Sequence, residues 1–148
     1  MTSEQAPSAG SQPDHHFEIR VYYEDTDAAG IVYYANYLKF TERARTEMMR
    51  DRGASHEDLR RSAGLSFVVK RCTADYHHPA RLDDVLDVQT HIGKIGGASL
   101  NLHQQVFGGW RLLVSMDVKL ALLNLSMKPV RIPKALIAAL RPQYRVGK

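Results

Sequence analysis

Two acids and a glycine separate a strand pattern from a helix pattern near the start of the chain. Asp25 and Asp27 lie just before Gly30, the one residue there that adopts a positive φ at little cost. The next segment, residues 34–52, has no Pro or Gly and predicts a long helix. A helix start offers unpaired amides to a developing oxyanion, while a nearby carboxylate attacks a carbonyl or activates water. The alternative is that these acids only form a turn or a helix cap, as they most often do in such loops.

The spacing of apolar residues predicts which side of this helix is buried. Residues at i, i+3, i+4 and i+7 form one face of a helix, and they are Tyr34, Tyr37, Leu38, Thr41, Ala44 and Met48. The first half of the helix is apolar nearly all round, so we expect it to be covered on most sides.

The remainder of the chain is mostly strand pattern. Residues 17–23 alternate apolar and polar side chains, and from Leu65 the same period of two predicts four further long strands. Gly96-Gly97 and Gly108-Gly109 supply tight turns, which force the strands that they connect to pair antiparallel. The long helix can bury its apolar side only against a face of this sheet. The fold class is therefore α+β.

Composition limits the class of protein and its compartment. With 148 residues, of which 44% are hydrophobic and 24% charged, the chain predicts one globular domain over residues 15–148 after a disordered tail over residues 1–14. No apolar run approaches the ~18 residues of a membrane span. Cys72 is the only cysteine, and the first residues do not resemble a secretory signal, so we expect a cytoplasmic location. The net charge of +4 contains no basic cluster and gives little support for nucleic-acid binding.

The string that contains the two acids resembles a family signature. Residues 20–37 read R-V-Y-Y-E-D-T-D-A-A-G-I-V-Y-Y-A-N-Y, and the similarity continues as L-K-F-T-E-R-A-R-T-E and returns as R-L-D-D-V-L and A-S-L. Over residues 17–140 the chain is similar to the 4-hydroxybenzoyl-CoA thioesterase family. More narrowly, it resembles the bacterial acyl-CoA thioesterases encoded beside the Tol–Pal envelope machinery. The resemblance implies a hotdog fold, in which a curved antiparallel sheet wraps a long central helix.

The same resemblance implies an activity and a set of site residues. The protein is expected to hydrolyse a short-chain or aromatic acyl-CoA to the free acid and coenzyme A, without a cofactor or a metal. Asp27 is then the catalytic carboxylate, as nucleophile or general base, and the backbone N–H of Tyr34 polarises the thioester carbonyl. The residues expected to contact the substrate are Gly30, Val32, Tyr33, Lys94 and Ser99.

Position 34 departs from the Tol–Pal-linked relatives, which commonly read Y-H-A-N-Y. This chain has Tyr34 there, as the hydroxybenzoyl-CoA branch does. An imidazole shuttles a proton near neutral pH, whereas a phenol with a pKa of about 10 only donates or accepts a hydrogen bond. We therefore assign a role only to the backbone amide of Tyr34, and the tyrosine itself points to aromatic acyl groups.

Three other positions have competing interpretations. Other hotdog thioesterases carry a catalytic Glu on the central helix, and Glu42 is the candidate here, although a solvated Glu paired with Arg43 or Arg45 is far more common. Cys72 lies in an alternating stretch, which favours a buried structural thiol. His77-His78 resembles part of a metal site, but adjacent strand residues point to opposite faces, so no metal is expected.

The resemblance also implies partners. The family forms dimers by pairing of sheet edges, and often tetramers, so we expect a homo-oligomer; Leu113 and Phe107 on an outer sheet face favour association. Acyl carrier protein and phospholipid-synthesis proteins are the expected protein partners. Coenzyme A phosphates need cations, and the basic candidates at turns and strand ends are Arg71, Arg81, Lys94, Lys128 and Arg131.

Two alternative functions stay open. The first is a non-catalytic hotdog protein that binds acyl-CoA or acts as a scaffold in envelope or lipid metabolism. The second is a hotdog dehydratase, whose chemistry usually needs a His–acid pair. The loop that carries Asp27 contains no histidine, which argues against the second.

Overall fold

The computed structural model of the chain describes residues 12–141, so residues 1–11 of the predicted tail lie outside the described part. In chain order the elements are β1 (His15–Arg20), α1 (Asn36–Asp51), α2 (His56–Ala63), β2 (Ser66–Tyr76), β3 (Val85–Ile95), β4 (Ser99–Gly108), β5 (Arg111–Leu123) and α3 (Lys134–Leu140). Within this part of the chain, the helices are too short or too polar to traverse a bilayer.

The five strands form one antiparallel sheet in the order β1-β3-β4-β5-β2, with α1 packed on one face. The α+β class, the four later strands and the predicted hotdog arrangement are thereby confirmed. The turn between β4 and β5 lies one residue later than predicted, because Gly108 still pairs with Arg111. Gly109 and Trp110 make the turn, and Gly109 has a φ of 64°.

The predicted buried face of the helix differs from the structure at two positions. Tyr34 lies before the first residue of α1 and is 60% exposed. Tyr37, Ala44 and Met48 are buried as expected, but Leu38 is 46% exposed, and Phe40 is fully buried in its place. Phe40 lies three residues after Tyr37 and four before Ala44, so it continues the same helical stripe, whereas Leu38 lies beside that stripe. The expectation that the first half of the helix is covered on most sides is therefore wrong for a single chain.

One buried polar side chain connects α1 to the sheet. Gln104 on β4 has no exposed surface. Its Nε2 donates to the carbonyl of Thr41 at 3.1 Å and to Oγ1 of Thr90 at 3.0 Å, and its Oε1 accepts from Nη1 of Arg45 at 3.1 Å. Because leaving a buried amide unpaired costs free energy, this network favours one position of α1 along the sheet.

The ordered edge of the sheet begins before β1. The N–H of Asp14 donates to the carbonyl of Thr90 at 2.8 Å, and its Oδ2 accepts from the N–H of Ile92 at 2.7 Å. Nη2 of Arg52, just after α1, donates to the Asp14 carbonyl at 3.1 Å. Residue 14, which the composition assigned to a tail, is thus attached to both β3 and the end of α1.

Two further side chains differ from their predicted environments. Leu113 is only 3% exposed, because a bulge in β5 leaves it between the residues paired with Val106 and Phe107 and turns it inward. It is therefore unavailable for association. Cys72 is exposed rather than buried, because β2 is an edge strand with a neighbour on one side only.

The burial of Phe40 and the exposure of Leu38 lead to a testable prediction about stability. Phe40→Ala should lower the free energy of unfolding by about 3–5 kcal/mol, because it removes a fully buried ring. Leu38→Ala, the matched control two residues away, should lower it by about 0.5 kcal/mol or less. Urea denaturation followed by circular dichroism measures both. Equal losses in the two variants would contradict the helix orientation described here.

Candidate active site

Asp27 opens a tight hairpin just after β1. Its N–H donates to the carbonyl of Ile31, and its carbonyl accepts from the N–H of Gly30, both at 2.9 Å. Gly30 closes the loop with a φ of 79°, which glycine adopts without strain. Asp27 Oδ1 accepts from the N–H of Ala29 at 2.9 Å, and Oδ2 has no hydrogen-bond partner within residues 12–141. The carboxylate is therefore oriented by its own loop and has one oxygen available, on an exposed side chain.

The carbonyl of Asp25 connects this hairpin to the start of α1. It accepts from the N–H of Tyr33 at 3.0 Å and from Nδ2 of Asn36 at 2.8 Å. Thr26 and Val32 pair across the hairpin. Asn36, which the sequence left without a role, thus positions the first residue of the helix against the loop that carries the acid.

The entry into α1 leaves two adjacent amides free. The N–H groups of Asn36, Tyr37 and Leu38 each donate to the carbonyl three residues earlier. The N–H groups of Tyr34 and Ala35 have no acceptor in the part of the chain that the structure describes. No side chain caps this helix, and its first turn carries no acid. The positive end of the helix dipole is therefore open to an anion.

Aromatic rings form one wall beside these amides. The ring of Tyr34 lies 5.1 Å from that of Tyr33 and edge-on to that of Tyr76 at 5.9 Å. Tyr37 lies below, where its hydroxyl accepts from the N–H of Ala80 at 3.1 Å. Burial raises the pKa of Tyr37 above its ordinary value, so this phenol stays neutral at physiological pH and holds residue 80 against the helix.

The predicted substrate residues separate into two groups. Gly30 and Tyr33 are exposed in the Asp27 hairpin, whereas the side chain of Val32 is buried, at 3% exposure, and faces away from solvent. Lys94 and Ser99 lie at the opposite end of the sheet: β3 begins beside the end of β1 and reaches Lys94 only after about 30 Å. A single chain therefore does not bring Lys94 or Ser99 to Asp27.

Among the basic candidates for coenzyme A, Arg81 is the one beside the hairpin, since it pairs with Ile31. Arg71 lies in β2. Lys128 follows the end of β5, and Arg131 lies beside the turn at Gly97, so both are at the end of the sheet that carries Lys94. Of these five candidates, only Arg81 therefore lies beside the Asp27 hairpin in the same chain.

The competing candidates also have defined surroundings. Glu42 is exposed and accepts from Oγ1 of Thr46 at 2.7 Å, so it is paired with neither nearby arginine. His77 follows β2 and lies 3.0 Å, ring nitrogen to hydroxyl, from Ser115. Within residues 12–141, His, Cys, Asp and Glu side chains form no group of three that would hold a metal ion.

A groove of about 350 Å³ lies between α1, α2 and the start of β2. Its floor is apolar and is formed by Met48, Met49, Phe67, Val69, Leu100, Leu102 and Leu120. Its mouth carries the polar side chains of Glu42, Arg45, His56, Glu57, Arg60 and Ser66. The groove lies near Ser66, whereas Tyr76 at the other end of β2 contacts Tyr34, about 30 Å away along the strand. Within one chain the groove and the Asp27 hairpin are therefore separate.

Comparison with known proteins gives consistent matches over nearly the whole described region. The family model described as the thioesterase-like superfamily matches residues 21–140. The acyl-CoA thioesterase YbgC of Haemophilus influenzae is 44% identical over 124 residues, which cover 83% of this chain and 91% of that protein. The acyl-CoA thioester hydrolase YbgC of Escherichia coli O157:H7 is 43% identical over 122 residues, covering 81% and 90%. The crystal structure of a probable thioesterase from Bartonella henselae superposes with a TM-score of 0.77 at 39% identity, covering 80% of this chain and 98% of that one.

The hydrogen bond between Tyr37 and Ala80 makes a prediction about stability. Tyr37→Phe should lower the free energy of unfolding by about 1–3 kcal/mol, because it leaves the buried N–H of Ala80 without an acceptor. Tyr33→Phe, at an exposed ring, should change it by about 0.5 kcal/mol or less. Chemical denaturation measures the difference. A Tyr37→Phe variant as stable as the parent would show that Ala80 finds another acceptor.

Proposed function

The chain belongs to the thioesterase-like superfamily, and we propose that it hydrolyses the thioester of a short-chain or aromatic acyl-CoA to the free acid and coenzyme A. The observation that carries the proposal is that the loop with Asp27 and the helix start with the free amide of Tyr34 are joined by hydrogen bonds. The Asp25 carbonyl holds the two parts together. Thioester hydrolysis needs a nucleophile or base on one side of the carbonyl and an oxyanion donor on the other.

The carboxylate can act by either of two routes. In the nucleophilic route, Asp27 attacks the carbonyl carbon, the C–S bond breaks, coenzyme A leaves as a thiolate, and water hydrolyses the mixed anhydride. In the general-base route, Asp27 takes a proton from a water molecule that attacks the carbonyl directly. In both routes the carbonyl oxygen becomes negative, and the N–H of Tyr34 stabilises it together with the helix dipole.

Replacement of the carboxylate tests the role of Asp27. Asp27→Asn should lower kcat by about 10²–10⁴-fold on the best of a series of short-chain, long-chain and aromatic acyl-CoAs. Release of free thiol measures the rate. Glu24→Gln, which also neutralises an exposed acid of the same loop, is the matched control and should retain the parent rate.

The other outcomes identify other functions. An Asp27→Asn variant that is folded and fully active would remove Asp27 from the chemistry and make Glu42 the next candidate. Binding of acyl-CoA without turnover on any substrate would support the non-catalytic binding or scaffold protein. Loss of water from a β-hydroxyacyl thioester, or addition of water to the corresponding enoyl thioester, would support the dehydratase.

Isotope labelling tests the nucleophilic route for Asp27. A single turnover in H₂¹⁸O leaves the label in the Asp27 carboxylate only if an anhydride forms and water attacks its aspartyl carbon. Label in the product acid alone arises either from direct attack on the thioester or from attack on the acyl carbon of the anhydride, so only label in Asp27 decides between the routes. Mass spectrometry of the peptide that contains Asp27, beside that of the product, reads both positions in one experiment.

We further propose that the active unit is a dimer paired through β2. This edge strand has eleven residues, against six in β1 at the other edge, and it exposes 50% of Val69 and 46% of Tyr76. Two copies of β2 paired antiparallel about a two-fold axis place the Tyr76 end of one chain beside the Ser66 end of the other. The groove of each chain, and the sheet end that carries Lys94 and Ser99, then lie on the same side as the partner's Asp27 hairpin.

A charge placed on this edge tests the dimer. Val69→Glu should shift the sedimentation coefficient to that of a monomer and abolish turnover, because it sets like charges near the two-fold axis and buries them on association. Val85→Glu, at an exposed valine of β3 away from that edge, should leave the sedimentation coefficient at the value for a dimer. A fully active Val69→Glu monomer would contradict a site shared between two chains.

The remaining proposals concern the cellular setting. A site that recognises a thioester also suits acyl groups carried by proteins, so acyl carrier protein and phospholipid-synthesis proteins stay the proposed partners. A cytoplasmic location is proposed because the single cysteine, Cys72, is a free, exposed thiol. Co-purification from cells at low ionic strength tests the partners, and fractionation tests the location.

A further inference from the structure

Arg45 differs from the other charged residues that line the groove. Glu42, Glu57 and Arg60 are exposed, whereas Arg45 is partly buried. Its Nη1 donates to Oε1 of Gln104 at 3.1 Å. Gln104 is itself fixed by two hydrogen bonds in the core, so the guanidinium has a set position before any ligand binds.

The guanidinium of Arg45 forms no ion pair within residues 12–141. No carboxylate in this part of the chain lies within ion-pair distance of its guanidinium. Glu57 is engaged by Arg60 and Arg61, and Glu42, which accepts from Thr46, acts on Arg45 only through its more distant negative charge. Burial lowers the pKa of Arg45 from its ordinary value, yet an arginine keeps its charge in proteins. A partly desolvated cation with four N–H donors left over favours an anionic ligand.

The floor beneath Arg45 is apolar over most of its length. Met48, Met49 and Phe67 from the helix and the edge strand meet Leu100, Leu102 and Leu120 from the sheet. A ligand that fits this groove needs methylene groups against the floor and a negative group at Arg45. An acyl chain that ends in a carboxylate has this chemistry, and a guanidinium binds a carboxylate through two parallel hydrogen bonds.

We propose that Arg45 is a specificity-determining residue that selects acyl-CoAs whose acyl group ends in a carboxylate. This proposal rests on the proposed function, because the thioester is held at the Asp27 hairpin of one chain while its acyl group enters the groove of the partner chain. The proposal restricts the expected substrates from short-chain acyl-CoAs in general to the monothioesters that coenzyme A forms with dicarboxylic acids. The buried Gln104 is the positioning residue that holds the guanidinium in place.

Two substrates of equal carbon count isolate the contribution of the terminal charge. Succinyl-CoA and butyryl-CoA differ at the end of the acyl chain, and kcat/KM for each is measured by thiol release. The parent protein should prefer succinyl-CoA. Arg45→Met should lower kcat/KM for succinyl-CoA by about 10–100-fold, as expected for loss of a charge-assisted pair, and leave butyryl-CoA within about twofold.

Two further variants keep the test decisive. Arg43→Met removes an exposed arginine of the same helix and should keep the parent preference for succinyl-CoA. Arg45→Lys retains the charge without the planar fork and should give an intermediate preference, so it replaces Arg45→Met if that variant does not fold. A parent protein that prefers butyryl-CoA, or an Arg45→Met variant that slows both substrates equally, would overturn the proposal.

Failure of the proposed thioesterase function can be distinguished from failure of the proposal about Arg45. If the thioesterase function is wrong, neither substrate is turned over, or Asp27→Asn does not reduce the turnover. Calorimetric binding of the two acyl-CoAs to the parent and to Arg45→Met then tests the groove without chemistry. Tighter binding of succinyl-CoA that Arg45→Met abolishes supports the role of Arg45, and equal binding overturns it.

Discussion

The carbonyl oxygen of Asp25 accepts two hydrogen bonds, and the geometry of the candidate site depends on them. One donor is the backbone of Tyr33 and the other is the side chain of Asn36, so a single atom ties the acid hairpin to the first residue of α1. Each hydrogen bond contributes only about 1 kcal/mol net to stability, but together the two bonds fix the orientation of the hairpin relative to the start of α1. The free N–H of Tyr34 lies between the two donors in sequence, and its position relative to Asp27 follows from theirs.

Directional hydrogen bonds also fix the middle of α1 on the sheet. A core made only of Phe40, Met48 and leucines would tolerate small shifts along the helix axis, because apolar contacts are not directional. Gln104 supplies direction, since its amide must meet the carbonyl of Thr41 and the hydroxyl of Thr90 together. The same amide orients Arg45 into the groove. One buried residue therefore connects the packing of the helix to the electrostatics of the proposed acyl site.

The strand order explains why a single chain leaves the site in two halves. The Asp27 hairpin follows β1 beside the start of β3, while the groove and Lys94 lie at the far end of the same strands. The two ends are separated by the full length of the strands, so no local rearrangement within one chain brings the Asp27 hairpin to the groove. Pairing of two sheets about a two-fold axis would do so without any change within a chain, because it reverses the strand direction of the partner.

The sequence by itself determined the local features of this protein. These features are the alternation of apolar and polar residues over most of β3 to β5, glycine at a turn that needs a positive φ, and the long signature string around Asp27. Each depends on residues close together in the chain. Tertiary structure decided what depends on distant residues. Phe40 rather than Leu38 faces the sheet because the sheet selects one stripe of an apolar helix, and Cys72 is exposed because β2 became an edge strand. Arg45 is held by Gln104, 59 residues away, and has no ion-pair partner among residues 12–141; no spacing in the sequence encodes the pairing of Arg45 with Gln104.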